Sequence, residues 1–125
     1  LPAVLIDSNA IGQAIGNVLR NGFEAGDSAQ LRTRLEEDYV PAASATYAPA
    51  RPAAGRYLVI EVADDGPGIA PEVAGRLFEP FVSTKFAGRG LGLAATAGIM
   101  GSQHGFVEVS STTEGCRVLL LLPAP

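Results

Sequence analysis

The chain has 125 residues, 47% of them hydrophobic, which is the length of one domain with enough apolar side chains to fill a core. Nine Lys and Arg against 13 Asp and Glu give a formal net charge of −4, which excludes a nucleic-acid module built on a basic face. The single cysteine, Cys116, excludes an internal disulfide and points to a reducing, cytoplasmic setting. No apolar run approaches the roughly 20 residues of a bilayer-spanning helix, and no signal peptide is visible. The chain starts at Leu1 without Met and ends in Leu-Pro-Ala-Pro, so we expect a single domain, residues 1–125, cut from a longer protein. Whether that parent is membrane-anchored is left open.

Val4 to Ile6 is a short apolar run that predicts a first strand, and Asp7 or Ser8 can cap the helix that follows. Over residues 9–25 the apolar positions Ala10, Ile11, Ala14, Ile15, Val18, Leu19 and Phe23 fall at helical spacing. Gly12, Gly16 and Gly22 lower the propensity, so tertiary packing must hold this helix. Its polar stripe is Gln13, Asn17, Asn21 and Glu24, all on one face. Leu31, Thr33 and Leu35 then alternate with Arg32 and Arg34, which predicts a strand with a charged face. Residues 41–55, rich in Pro and Ala without periodicity, read as a loop. Residues 57–63 (YLVIEVA) read as a strand, paired with the preceding one across that overlong connection. Residues 71–78 fit a short helix with Pro71 in its first turn. Residues 82–90 are a polar loop, 91–103 a second long helix, and 106–111 and 116–122 two strands joined by a turn over 112–115.

The stretch from Asp64 to Leu93 carries the chemistry. It reads DDGPGI, then LFEPFVSTK, then GRGLGL. Glycine lets a backbone turn sharply and approach a ligand closely. A glycine cluster opening a helix offers free N–H groups to an anion, usually phosphate. A nucleotide is the ligand this pattern suits. Each motif alone is weak; an Asp-Gly turn after a strand is ordinary.

Taken in order, these motifs resemble the catalytic ATP-binding domain of sensor histidine kinases. That domain belongs to the superfamily shared with type II topoisomerases, mismatch-repair ATPases and ninety-kilodalton heat-shock chaperones. The resemblance covers residues 7–123, and LFEPFVSTK with AGIMGSQHG is most similar to the subgroup with Pro-Phe-Phe-Thr-Thr-Lys motifs. It implies a Bergerat-type α/β (α+β) two-layer sandwich. The expected sheet is mixed, mostly antiparallel, of about five strands, with about three helices on one face. It implies binding of ATP (and ADP) with Mg²⁺ and γ-phosphoryl donation to a histidine in bacterial two-component signalling or a phosphorelay.

The resemblance also implies roles. Asn21 becomes a magnesium ligand through its amide oxygen, and Asn17 stands beside the phosphates. Asp64 accepts a hydrogen bond from the exocyclic amine of adenine, which favours adenine over guanine. Gly66, Gly68 and Ile69 line the base. Lys85 matches the family's Thr-Lys, and Lys85 and Arg89 reach for phosphate. Gly88, Arg89, Gly90, Leu91, Gly92 and Leu93 present backbone N–H groups to the phosphates. Asn17 and Lys85 are the catalytic candidates. Where ATPase branches of the superfamily usually place a glutamate base, this chain has Asn17; an amide accepts no proton usefully at neutral pH, so slow hydrolysis is implied. Asp65 reads as a solvent-facing turn residue. His104, the only histidine, falls at a helix end as a structural residue, so the phosphoacceptor belongs to a separate dimerisation domain. A response-regulator receiver domain is the other implied partner, and in many members it follows this domain. Two departures stand out: Cys116 replaces the usual Thr or Ser, and His104-Gly105-Phe106 replaces His-Gly-Gly. The alternatives are a degenerate kinase domain acting as a protein-docking adapter, and a serine kinase of the same superfamily acting as an anti-sigma factor. A hydrolysing ATPase is argued against by Asn17, and a dinucleotide fold by the absence of an early strand before GRGLGL.

Overall fold

The computed structural model describes residues 7–25, 28–66, 76–78, 89–112 and 115–125. The expected strand at 4–6 lies outside them, as do 67–75 and 79–88. In chain order the elements are α1 (Ser8–Ala25), β1 (Ala29–Tyr39), β2 (Thr46–Ala48), β3 (Gly55–Asp64), α2 (Arg89–Ser102), β4 (Phe106–Thr112) and β5 (Gly115–Pro123). The five strands form one sheet in the order β1-β3-β5-β4-β2, and every neighbouring pair is antiparallel. Among the described residues the sheet is antiparallel throughout. Its fifth strand is β2, inside the segment read as a loop. Among the described residues there are two helices, one fewer than expected; the third, at 71–78, falls mostly outside them, and Arg76–Phe78 forms a turn.

Alternation sorts the sheet into two faces. Ile60 and Val62 of β3, Val118, Leu120 and Leu122 of β5, and Val107 and Val109 of β4 pack against Ile11, Ala14 and Val18 of α1 and Leu93 and Met100 of α2. Leu77 joins this core and Phe78 packs on it. The apolar stripe of α1 thus finds its partners, while Gly12 and Gly16 face solvent. Leu31 lies on the same face, opposite Val62, but is 47% exposed on β1, an edge strand of the sheet.

The opposite face carries a second cluster of Tyr39, Tyr57, Val59, Leu119 and Leu121, with Phe106 against it. Tyr39 and Tyr57 meet edge to face at 5.2 Å, and Tyr57 and Phe106 at 6.3 Å. A register shift between Glu36 and Tyr39 bends the end of β1. Tyr39 then reaches Glu108 of β4, past both β3 and β5, and donates its hydroxyl to Glu108 Oε1 at 2.5 Å. The connection from β1 to β3 follows it to the far edge, where β2 pairs with β4. It is pinned by Tyr47 Oη to Ala42 O at 2.6 Å, Arg51 Nη2 to Pro41 O at 3.2 Å and Tyr57 Oη to Ala53 O at 2.8 Å. Glu61, also on this face, is satisfied by Arg34 Nη1 at 2.9 Å. Burial and the Glu108 carboxylate hold the Tyr39 hydroxyl neutral far above its ordinary range.

Asp7 caps α1: its Oδ1 accepts from Asn9 N at 3.0 Å and Ala10 N at 3.2 Å. The Asp7 N–H donates to Gln103 Oε1 at 2.9 Å, tying the start of α1 to the end of α2. At that end Gly105 N donates to Met100 O at 2.7 Å and His104 N to Gly101 O at 3.1 Å, with His104 at φ 61°. This is a Schellman closure with His104 in the left-handed position. A Cβ on Gly105 would stand 2.6 Å from Leu121 O, so the chain needs glycine to turn into β4. At the C-terminus Ala124 N donates to Arg56 O at 3.0 Å, beside the start of β3.

Candidate functional site

The topology delivers three segments to one end of the sheet. α1 runs towards the end where β1 begins and β3 finishes, since Ala29 stands opposite Asp64. α2 starts at that end and runs back to Gln103, beside the start of α1. β5 begins there too, with Cys116 opposite Asp64. The second half of α1, the tip of β3, the first turn of α2 and the start of β5 therefore share one end, and no element crosses it among the described residues.

Asp64 is half-buried, and its Oδ1 accepts from Gly66 N at 2.9 Å, which folds the turn after β3 back on the carboxylate. Gly115 holds φ 147°, and a Cβ there would lie 1.9 Å from Asp64 O. Only glycine lets β5 start this close to the tip of β3. Cys116 is 3% exposed and belongs to the helix-side core. Asn17 is half-buried on α1, between core positions Ala14 and Val18. Asn21 is four residues further along the same helix. α2 begins at Arg89, two residues before the expected start, so Arg89 and Gly90 are helical rather than loop. Leu93 is a core side chain, leaving its backbone as what it can offer a ligand. Of the expected site residues, Gly68, Ile69, Lys85 and Gly88 lie outside the described residues. Asp65, Ser28 and Gly115 were not singled out in the sequence for the contacts they make here; a glycine between two strand patterns was the one available signal.

Residues 6–125 match the family model described as histidine kinase-, DNA gyrase B-, and HSP90-like ATPase. The chain belongs to this ATPase family. Within it, the chain is 36% identical over 125 residues to the sensory histidine kinase/phosphatase NtrB of Rhizobium meliloti, covering 99% of this chain and 33% of that protein. It thus spans about a third of the length of that curated relative. Among solved structures, a mycobacterial sensor histidine kinase, MprB, superposes with a TM-score of 0.68 at 24% identity, covering 97% of this chain and 74% of that one. Full-length ShkA in complex with AMPPNP superposes at 0.65 with 25% identity, covering 97% of this chain and 22% of that one. The histidine-kinase catalytic fold of the ATPase family is therefore the fold of this chain. No described helix is long and apolar enough to cross a membrane.

The donor set bears on a metal. Among the described residues no group of three or more His, Cys, Asp or Glu is placed to cage an ion. Mg²⁺ bound with a nucleotide takes most of its ligands from phosphate oxygens and water, so such a role needs no cage of this kind.

Proposed function

We propose that this domain binds Mg-ATP at the end of the sheet around Asp64 and donates the γ-phosphoryl group to a histidine on a separate dimerisation domain, within two-component signal transduction. The observation that carries the reading is the convergence of the second half of α1, which bears Asn17, the Asp64 turn and the N-terminus of α2 at one end of the sheet. The family match, the kinase relatives and the AMPPNP-bound neighbour support it.

In this reading Asp64 accepts from the adenine amine, and the Gly66 turn, with Gly68 and Ile69 beyond it, gives the base room. Cys116 closes the pocket opposite Asp64. The N–H groups opening α2, from Gly88 to Leu93, donate to phosphate oxygens at the positive end of the helix dipole. Arg89 and Lys85 add positive charge. Asn21 offers its amide oxygen to the metal side, and Asn17 orients the phosphates without activating water. When bound, Mg²⁺ neutralises charge on the phosphate oxygens. Transfer is then mostly positioning and electrostatics. The acceptor histidine and the receiver domain that later takes the phosphoryl group are supplied by other domains.

Calorimetric titration with ATP and GTP, each with and without Mg²⁺, tests the reading. We expect saturable ATP binding strengthened by Mg²⁺, and none for GTP. Asp64→Asn should abolish it; a variant that binds ATP as the parent does would show that adenine sits elsewhere. The buried thiol of Cys116, where the kinases commonly carry a hydroxyl, favours one second reading. No binding at millimolar ATP would make this a domain that docks protein partners.

A further inference from the structure

Asp65 is exposed, as a turn residue should be, yet its carboxylate is engaged. Ser28 N donates to Asp65 Oδ1 at 2.9 Å, and Asp65 N donates back to Ser28 O at 3.3 Å. Ala29 and Asp64 are the last register pair of the β1–β3 ladder, so Ser28 and Asp65 form the next step beyond it. In that step a side-chain carboxylate takes the place of a backbone acceptor. Ser28 follows closely on Ala25, where α1 ends. The ring of two hydrogen bonds therefore joins the chain leaving α1 to the turn that follows Asp64.

We propose that Asp65 is a positioning residue for nucleotide binding: its carboxylate fixes the amide-bearing end of α1 relative to Asp64. The inference rests on the reading above, in which Asn21 serves the metal and Asp64 the adenine. Ladder ends fray, and the returning backbone bond is long at 3.3 Å. The bond to the carboxylate is charge-assisted and therefore the stronger of the two. Asp64 is held independently by Gly66 N. Losing Asp65 should thus loosen the metal side of the site and spare the base side.

The test is calorimetry on the full 125-residue chain with ATP in EDTA and ATP in excess Mg²⁺. The parent should bind more tightly with Mg²⁺. Asp65→Ala should lose about tenfold in Mg-ATP affinity, the scale on which groups that orient a metal ligand act. Its Mg²⁺-free affinity should stay within about twofold, a change well under the free energy of one hydrogen bond. Asp65→Asn, which keeps an Oδ1 acceptor, should recover most of the loss. Parent-like Mg-ATP affinity in Asp65→Ala, or equal loss with and without Mg²⁺, would overturn the proposal; so would Asp65→Asn binding as weakly as Asp65→Ala. If Asp65→Ala does not fold, Ser28→Pro removes the donor and leaves the carboxylate. It should show the same selective loss, and parent-like binding by it overturns the proposal. A parent that binds no ATP, or binds it without regard to Mg²⁺, defeats the underlying reading, and that result is seen before any variant is made.

Discussion

At the end of the sheet where β3 finishes, Asp64, Gly66, Gly115 and Cys116 meet with little side-chain bulk, and backbone lies against backbone. At the other end Tyr39, Tyr57 and Phe106 stack edge to face, Glu108 is buried under a tyrosine hydroxyl, and the long connection to β2 lies across them. The same strands build both. The difference shows where this fold spends bulk and where it withholds it. Among the described residues, the aromatic end is filled by rings and satisfied carboxylates, and the Asp64 end is built from glycine turns and strand tips.

The sharpest way to break the bare end is Gly115→Ala. Its Cβ would stand 1.9 Å from the Asp64 carbonyl oxygen in a backbone region that L-residues avoid, and we expect a loss of more than about 4 kcal/mol, read by urea unfolding or as failure to fold. The filled end should yield less. Tyr39→Phe removes the hydroxyl that donates at 2.5 Å to the Glu108 carboxylate, 5% exposed, at a cost of about 1–3 kcal/mol in the same assay.

That end should also respond to alkali. Burial, foremost, raises the pKa values of Tyr39, Tyr47 and Tyr57 in the folded chain. Their contribution is fully present below the ordinary tyrosine range of about 10 and is lost as the unfolded chain ionises above it. Unfolding free energy followed from pH 8 to 11.5 should stay level and then fall, with a shallower fall in Tyr39→Phe. An equal slope in the two proteins would remove Tyr39 from the account. The smallest effects belong to neither end: Gly12→Ala and Gly16→Ala, on the solvent face of α1 with nothing near the new methyl, should each stabilise by about 0.5–1 kcal/mol in thermal melts.

The long periodic segments were legible from residues alone. α1, β3, α2, β4 and β5 each lie within two residues of their expected bounds, because an apolar stripe or alternation marks a buried face. β2 was not legible. Thr46-Tyr47-Ala48 is too short to show a period, and what makes it a strand is the edge of β4, which is remote in sequence. Nor did Leu31 announce its exposure, since alternation shows that it shares a face with Val62 but not that its strand is an edge of the sheet. In the candidate site, Asp64 and the asparagines stood out through motif and spacing. Gly115 and Asp65 act through contacts with Asp64 and Ser28, far along the chain, and no local pattern reports them.

The described chain begins at Asp7, bound to Gln103, and ends beside Arg56. Both places lie at the aromatic end of the sheet, opposite Asp64. A tether that joins the domain at Asp7 or Ala124 therefore grips it at the end away from Asp64. Surface immobilisation through Asp7 or Ala124 should hold the domain by the end away from Asp64, where the proposed function puts the nucleotide.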